Sequence, residues 1–418
     1  MKPVLLEKRF DIKSCLTNFI FHDLENLFVE KPPSTEVDYL KIDNKIFPKF
    51  INEYWTSKQR QANSLHEISY RACFKPQLPR FFIERLTHKG DIVYDPFGGR
   101  GTTIIEAALM ERNIISNDIN PLGNILSKPR LSIPKISEIQ ERLDKIEINY
   151  NLKSDIDLSM FYESKTENEI LSLKKYFKEK VKQDTVDDWI RMVATNRLTG
   201  HSKNFFSVYT FPPNQAISAE KQSKINEVKN QKPEYKNTKK IILKKSADLI
   251  KDINTKTIDR LKKISESALF LNKDARFTNE IPDDSVHLIV TSPPFLDLVQ
   301  YTHDNWLRCW FNNIDTEEVA NKITMSKTID DWSKIMFEVF KELYRVTKKN
   351  GYVAFEVGEI RNGKIKLDEV VVPLGLKAKF ECEGVLINKQ TFTKTSNIWG
   401  IKNNEKGTNT NRIVIFKK

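Results

Sequence analysis

Two short stretches of the chain hold residue types and spacings suited to chemistry. One is Thr291-Ser292-Pro293-Pro294-Phe295, which follows the apolar run Val286 to Val290. A serine hydroxyl and the carbonyl of the next residue can both accept hydrogen bonds from one amino group, and consecutive prolines hold that carbonyl rigid because each fixes its own φ. Ser292 and the carbonyl of Pro293 are the candidate acceptors, with Pro294 completing the turn. Phe295 offers a flat face for a planar heterocycle, a stacking contact worth about 1–3 kcal/mol per base. An aromatic amine is a poor nucleophile because its lone pair is delocalised into the ring. Acceptors placed at its hydrogens favour a tetrahedral-like nitrogen and free that pair for attack along a fixed line.

The other stretch is Asp95-Pro96-Phe97-Gly98-Gly99-Arg100-Gly101-Thr102-Thr103. It ends the strand-like run from Gly90 and opens directly into a helical pattern from Thr102 to Arg112. A glycine loop at the carboxyl end of a first strand lets backbone approach a ligand closely. Asn113 to Asp118 reads as the next strand. Asp118, 23 residues after Asp95 and followed by Ile119, stands where one carboxylate can accept hydrogen bonds from both hydroxyls of a ribose.

The elements that must position these residues alternate short β-type runs with helical patterns, the signature of a mostly parallel sheet covered by helices. Ala268 to Leu271, Val286 to Val290 and Gly351 to Val357 read as further strands, and Trp332 to Val346 as a helix between the last two. Phe380 to Ile387 and Asn411 to Phe416 read as an antiparallel pair closing the sheet. The chain has 418 residues and a net charge of +12. Residues 127–265 hold 29 Lys and Arg against 19 Asp and Glu, so this third of the chain carries nearly all of the excess. A polyanionic partner is expected, and this stretch is its expected site. The four cysteines, Cys15, Cys73, Cys309 and Cys382, form no C-x-x-C pair, which argues against a zinc site or a disulfide framework. No apolar run has the roughly 18–20 residues a membrane helix needs, so a cytoplasmic location is expected. His66, His201 and His303 read as structural or surface groups.

Asp95 to Thr103 resembles closely the D-P-F-x-G-x-G-T-T signature of amino-directed DNA methyltransferases, and Ser292-Pro293-Pro294-Phe295 is similar to their reacting tetrapeptide. The resemblance implies S-adenosylmethionine as cofactor, double-stranded DNA as partner and no metal. It implies an α/β, Rossmann-like methyltransferase fold: a mostly parallel seven-stranded sheet with an antiparallel C-terminal hairpin, plus an inserted basic, largely helical recognition region. The cofactor residues it implies are Asp95, Pro96, Phe97, Gly99, Gly101, Thr102 and Thr103 of the loop, with Asp118 and Ile119 after the second strand. Asp274 and Ala275 after the third strand match the acid that such enzymes place near the adenine amino group. Tyr70-Arg71-Ala72-Cys73-Phe74-Lys75-Pro76-Gln77-Leu78-Pro79 resembles the segment that closes over the cofactor, which adds Tyr70, Lys75 and Pro76. Thr391-Phe392-Thr393, Trp399-Gly400 and Asn409 to Arg412 extend the likeness toward the end of the chain.

Serine in the first place of the tetrapeptide is typical of enzymes acting on cytosine N4, and Asp or Asn of those acting on adenine N6. The resemblance is greatest to cytosine-N4 enzymes of restriction-modification systems, which implies a cognate endonuclease at the same site; one transfer needs only one site, so a monomer is expected. Adenine N6, an RNA or protein amide, and a silent DNA-binding protein are the alternatives. The target base lies inside a duplex, so it must be flipped out into a closed pocket. The expected domains are an N-terminal extension (1–50), a catalytic domain (51–126 and 266–418) and an inserted target-recognition region (127–265). On that division, deleting residues 190–250 should remove sequence-specific binding and leave cofactor affinity measurable.

Overall fold

The computed structural model describes residues 10–20, 34–55, 62–71, 73–212, 215–294, 304–322, 328–360, 365–389 and 410–418. Its strands are β1 (Glu36–Ile42), β2 (Lys45–Asn52), β3 (Ile92–Asp95), β4 (Asn113–Asn117), β5 (Leu269–Leu271), β6 (Val286–Thr291), β7 (Thr347–Val357), the short ribbon β8 (Glu359–Ile360) and β9 (Ile365–Lys366), β10 (Glu381–Lys389) and β11 (Thr410–Lys417). Nine of them form one sheet in the order β1-β2-β10-β11-β7-β6-β3-β4-β5. The central pairs β4/β5, β3/β4, β3/β6 and β6/β7 are parallel. β11 runs antiparallel to both β7 and β10, which is the expected closing hairpin.

Strands of a parallel sheet are buried on both faces and read as continuous apolar runs. Successive side chains nevertheless point to opposite faces. Val93, Ile114, Leu288 and Val290 therefore enter one core while Tyr94, Ile115 and Ile289 enter the other. The second core is covered by the helices Ile329–Val346 and Leu367–Lys377, through Trp332, Met336, Phe340, Leu343, Val371 and Val372. The first is covered by Gln77–Leu86, Thr102–Leu109 and Leu122–Ser127, and by helices of the inserted stretch.

Two features differ from the expected division. The N-terminal segment supplies β1 and β2, an antiparallel pair joined at Asp43-Asn44 with Asp43 at φ 51. β2 continues the sheet parallel to β10, so the sheet has nine strands instead of seven. The Asn388 side chain fixes that junction by accepting hydrogen bonds from the backbone N–H groups of Tyr54 and Trp55 at 2.7 and 3.2 Å.

The inserted stretch is helical as expected, but it is not a separable unit. Its helices are Ile136–Lys145, Ser164–Glu179, Thr185–Arg197, Ala219–Val228, Thr238–Ile250 and Thr255–Ser267. Trp189, Met192 and Val193 lie in the same core as Val93 and Leu288. Thr255–Ser267 packs against Thr102–Leu109 and β4, acting as the crossover helix before β5. Ser64 donates to the Leu249 carbonyl at 2.8 Å, and Asn196 to that of Ser69 at 3.1 Å. The stretch continues the helical layer over one sheet face, which charge and composition alone could not show. No helix among the described residues is long and apolar enough to cross a membrane.

Candidate active site

The chain leaves β3 for β4 and β5 on one side and returns to β6 on the other, so a crevice opens at the carboxyl ends of these strands, the usual ligand position in an open α/β sheet. The cleft there holds about 1060 Å³ of empty space, its open mouth included. Of the residues expected from sequence, Tyr70, Asp95, Pro96, Phe97, Gly99, Thr102, Asp118, Ile119, Asp274, Ala275, Ser292 and Pro294 line it. Lys75, Pro76, Gly101, Thr103 and Pro293 stand outside that lining. Phe295, Ala72, His303 and residues 390–409 lie outside the described residues.

The glycine loop owes its shape to positions where a side chain has no room. Gly101, at φ +79, caps the helix Thr102–Leu109, and a Cβ there would fall 2.5 Å from Ser127 Cβ and 3.2 Å from the Arg130 guanidinium. Arg130 is wholly buried and donates to the carbonyls of Leu126, Leu65 and Arg100, pinning the loop from below. From above, the Arg100 guanidinium reaches the carbonyl of Ile68 at 2.6 Å and holds the Tyr70 segment against the loop. Pro76 starts the next helix, and the part of that segment facing the cleft is Cys73 and Phe74 instead of Lys75, whose ammonium pKa is lowered by burial.

Asp118 accepts hydrogen bonds from the Gly99 N–H at 2.7 Å and the Asn120 N–H at 2.8 Å, one on each oxygen. It thus both shapes the turn and faces the cleft, and each oxygen keeps a lone pair for a ligand. Withdrawal from water raises its carboxyl above the ordinary carboxylate range. Burial would also raise Asp274, but hydrogen bonds from the side chain and backbone of Arg276 outweigh it and hold that carboxyl low.

The two sequence motifs meet directly. Thr291 Oγ1 donates to Asp95 Oδ1 at 2.6 Å, and Thr103 Oγ1 donates to the Val290 carbonyl at 3.0 Å. Thr103 therefore couples the loop helix to β6 from inside the core. Asp95 is almost fully buried, and this pushes its carboxyl up to about 6 despite the Thr291 and Phe97 donors.

Several groups at the reacting end were not singled out from sequence. Glu356 on β7 is buried and hydrogen-bonded to the Ser292 hydroxyl and to Asn411 Nδ2, the latter at 2.9 Å. Burial raises its carboxyl above the ordinary range, against those hydrogen bonds. A signal existed: it is a lone carboxylate inside the apolar run Ala354-Phe355-Glu356-Val357. Trp332 donates from Nε1 to the Pro294 carbonyl at 3.0 Å and so fixes the proline turn. One turn further along the same helix, Ile335, Met336 and Val339 form the apolar wall of the cleft. Arg71 is also paired with Asp304 at 2.7 and 2.8 Å, joining the segment before β3 to the chain that follows the proline motif.

A family model described as DNA methylase matches residues 23–122 and 286–418. Type II methyltransferase M.BsoBI of Geobacillus stearothermophilus is 24% identical over 360 residues, covering 78% of this chain and 67% of that protein. Type II methyltransferase M.MjaII of Methanocaldococcus jannaschii is 33% identical over 88 residues, 21% of this chain, and the match spans only 17% of that relative's length. Among solved structures, the rRNA methyltransferase AviRa of Streptomyces viridochromogenes is 10% identical with a TM-score of 0.35, the match covering 88% of this chain and 96% of AviRa. The two segments of the family match leave out the helical insertion and β5, and take in both motifs and the other eight strands of the sheet. A match over more than half of its length shows that the chain belongs to the N6- and N4-directed DNA methylase family.

Proposed function

We propose that this chain transfers a methyl group from S-adenosylmethionine to the exocyclic N4 amino group of a cytosine flipped out of duplex DNA. The observation that carries the reading is the meeting of the two motifs in one cleft, where Ser292 and the glycine loop share the lining and Thr291 donates to Asp95 at 2.6 Å, with the buried Glu356 carboxyl beside the Ser292 hydroxyl. A carboxylate can only accept, so the Ser292 hydroxyl spends its single proton on Glu356 and keeps its lone pairs for the incoming amine. With the carbonyl of Pro293 as second acceptor, the amine is held with its nitrogen lone pair directed at the donor. Rigidity at this point comes from the prolines and from the Trp332 hydrogen bond to Pro294. Phe295 provides the stacking face for the base.

The cleft fits the cofactor on its own features. Gly98 and Gly101 leave no room for a Cβ and so fix a tight loop, Gly99 at φ +50 turns its backbone along the cleft, Asp118 has lone pairs free for a ribose diol, and Asp274 in the same lining would meet the adenine. Tyr70 and Phe97 border the same space. When bound, S-adenosylmethionine supplies an electrophilic methyl on sulfur. The Asp118 carboxylate would orient its ribose, Asp274 would accept from its adenine amino group, and the apolar wall of Ile335, Met336 and Val339 would exclude water.

The basic insertion is the part of the chain we assign to duplex DNA, and protection of a site cut by a cognate endonuclease is the role this activity fits. One transfer needs one cleft, so a monomer suffices. Methyl transfer from labelled S-adenosylmethionine to duplex DNA tests the reading. Ser292→Ala should cut turnover by about 10²–10³, the usual cost of losing one preorganised hydrogen-bonding group, while cofactor affinity by calorimetry stays within about twofold. Wild-type turnover in that variant would rule Ser292 out of the reaction.

A further inference from the structure

A second cavity, about 500 Å³ on the same measure, lies between the insertion and the segment that leads to Tyr70. Its charged lining is Arg197, Lys244, Lys245, Glu67 and Asp248, with Asn204 at the rim. Glu67 is shared: one oxygen lies 3.2 Å from Lys245 and the other 3.2 Å from Lys251. Arg197 is only 7% exposed, yet it makes no ion pair among the described residues. Its guanidinium stacks on Phe205, with Cζ 3.9 Å from the ring centroid, and bonds to the Asn196 amide oxygen. Its Nε meets no acceptor. Lys244 is exposed, and its ammonium bonds to Asn204 Oδ1 at 3.1 Å.

The cavity thus presents three cations against two carboxylates, one of them shared with a lysine outside it. A guanidinium that lines the cavity without a carboxylate partner among the described residues, beside two ammonium groups, is complementary to a tetrahedral oxyanion with several acceptor oxygens. Resting on the methyl-transfer reading, we propose that this cavity seats a backbone phosphate of the bound DNA. The source of the phosphate follows from position. The cavity belongs to the stretch that carries nearly all of the chain's positive excess, and Glu67 lies three residues before Tyr70 of the cofactor cleft. Asn196, next to Arg197, holds the Ser69 carbonyl, so a phosphate seated here braces the segment that borders the cleft.

Binding of a fluorescently labelled mixed-sequence duplex to the full chain, measured by anisotropy across a salt series, tests this. Each phosphate contact contributes about 0.9 to the slope of log K against log salt. Arg197→Gln and Lys244→Ala should each flatten the slope by about that amount and weaken DNA binding, with S-adenosylmethionine affinity unchanged. Lys244 is exposed, so its variant decides the matter if Arg197→Gln fails to fold. An unchanged slope in Lys244→Ala overturns the proposal, as does a wild type that binds no duplex. Inorganic phosphate is titrated in parallel by thermal melting; stabilisation of the wild type, lost in Lys244→Ala while the DNA slope stays unchanged, would assign the cavity to free phosphate and also overturn it. Failure of the methyl-transfer reading shows separately, as absence of methylated product whatever the slope.

Discussion

On the proposed reading, the single hydroxyl proton of Ser292 is donated in a hydrogen bond to the Glu356 carboxylate, which turns a group that could donate or accept into a fixed acceptor for the amine. An amide in place of that carboxylate can donate to Ser292 instead and so compete with the substrate amine. Glu356→Gln should therefore lower kcat by about tenfold or more with little change in cofactor affinity. The pH dependence follows from the direction of its shift. The carboxyl is raised above the ordinary range, so the ionised form that orients Ser292 is lost as pH falls through that elevated pKa. The wild type should show an acid limb in kcat that Glu356→Gln lacks, and an identical limb in both enzymes would remove Glu356 from this role. Ser292 was legible in the sequence because serine, two prolines and an aromatic at the end of an apolar strand form a local pattern. Glu356 was not, because its meaning depends on β7 lying beside β6, a pairing between residues more than sixty positions apart.

At the scale of elements, the glycine loop and β6 act as one piece, since Asp95 and Thr103 both bond to the strand that leads into Ser292. Gly101 sits where φ is positive and where a Cβ would strike Ser127. Gly101→Ala should displace the loop and weaken S-adenosylmethionine binding at least about tenfold by calorimetry, together with a fall in melting temperature. Unaltered affinity would show that the loop does not require this geometry. The loop, its strand and its helix were readable because backbone conformation is written locally in glycines and in the switch from apolar run to helical period. The cleft wall was only half readable. The helix through Trp332, Ile335, Met336 and Val339 announced its apolar stripe, but not that part of the stripe borders the cleft as well as the core. The expected Lys75 and Pro76 contacts lie outside the cleft because the helix Gln77–Leu86 begins there, leaving Cys73 and Phe74 in their place.

The whole molecule is knit more tightly than its charge distribution implied. Composition set off residues 127–265 as a basic insertion, yet Trp189, Leu249, Leu261 and Ile264 complete the core that covers one face of the sheet. Deleting residues 190–250 would strip that face and leave Leu65, Ile68 and Ser64 without their cover, so it should unfold the chain instead of yielding a cofactor-binding remnant. Trp189→Ala, far from either motif in sequence, should cost about 3–5 kcal/mol and shift a single cooperative unfolding transition seen equally by circular dichroism and by the fluorescence of the remaining tryptophans. Two separate transitions would restore the insertion as an independent unit. Seven contiguous strands of the sheet, from β10 at one end to β5 at the far edge, were legible from apolar runs. β1 and β2 were missed because β1 is mostly exposed, so neither strand reads as a continuous apolar run, and their membership depends on the pairing of β2 with β10, over three hundred positions away. The central claim joins these scales, since the fold places the loop, the loop places the donor, and Ser292 selects the amine. The most direct measurement is nucleoside analysis of duplex DNA methylated by the purified chain. The account requires N4-methylcytosine; N6-methyladenine would contradict the assignment of the base, and an absence of any methylated nucleoside would contradict the reaction itself.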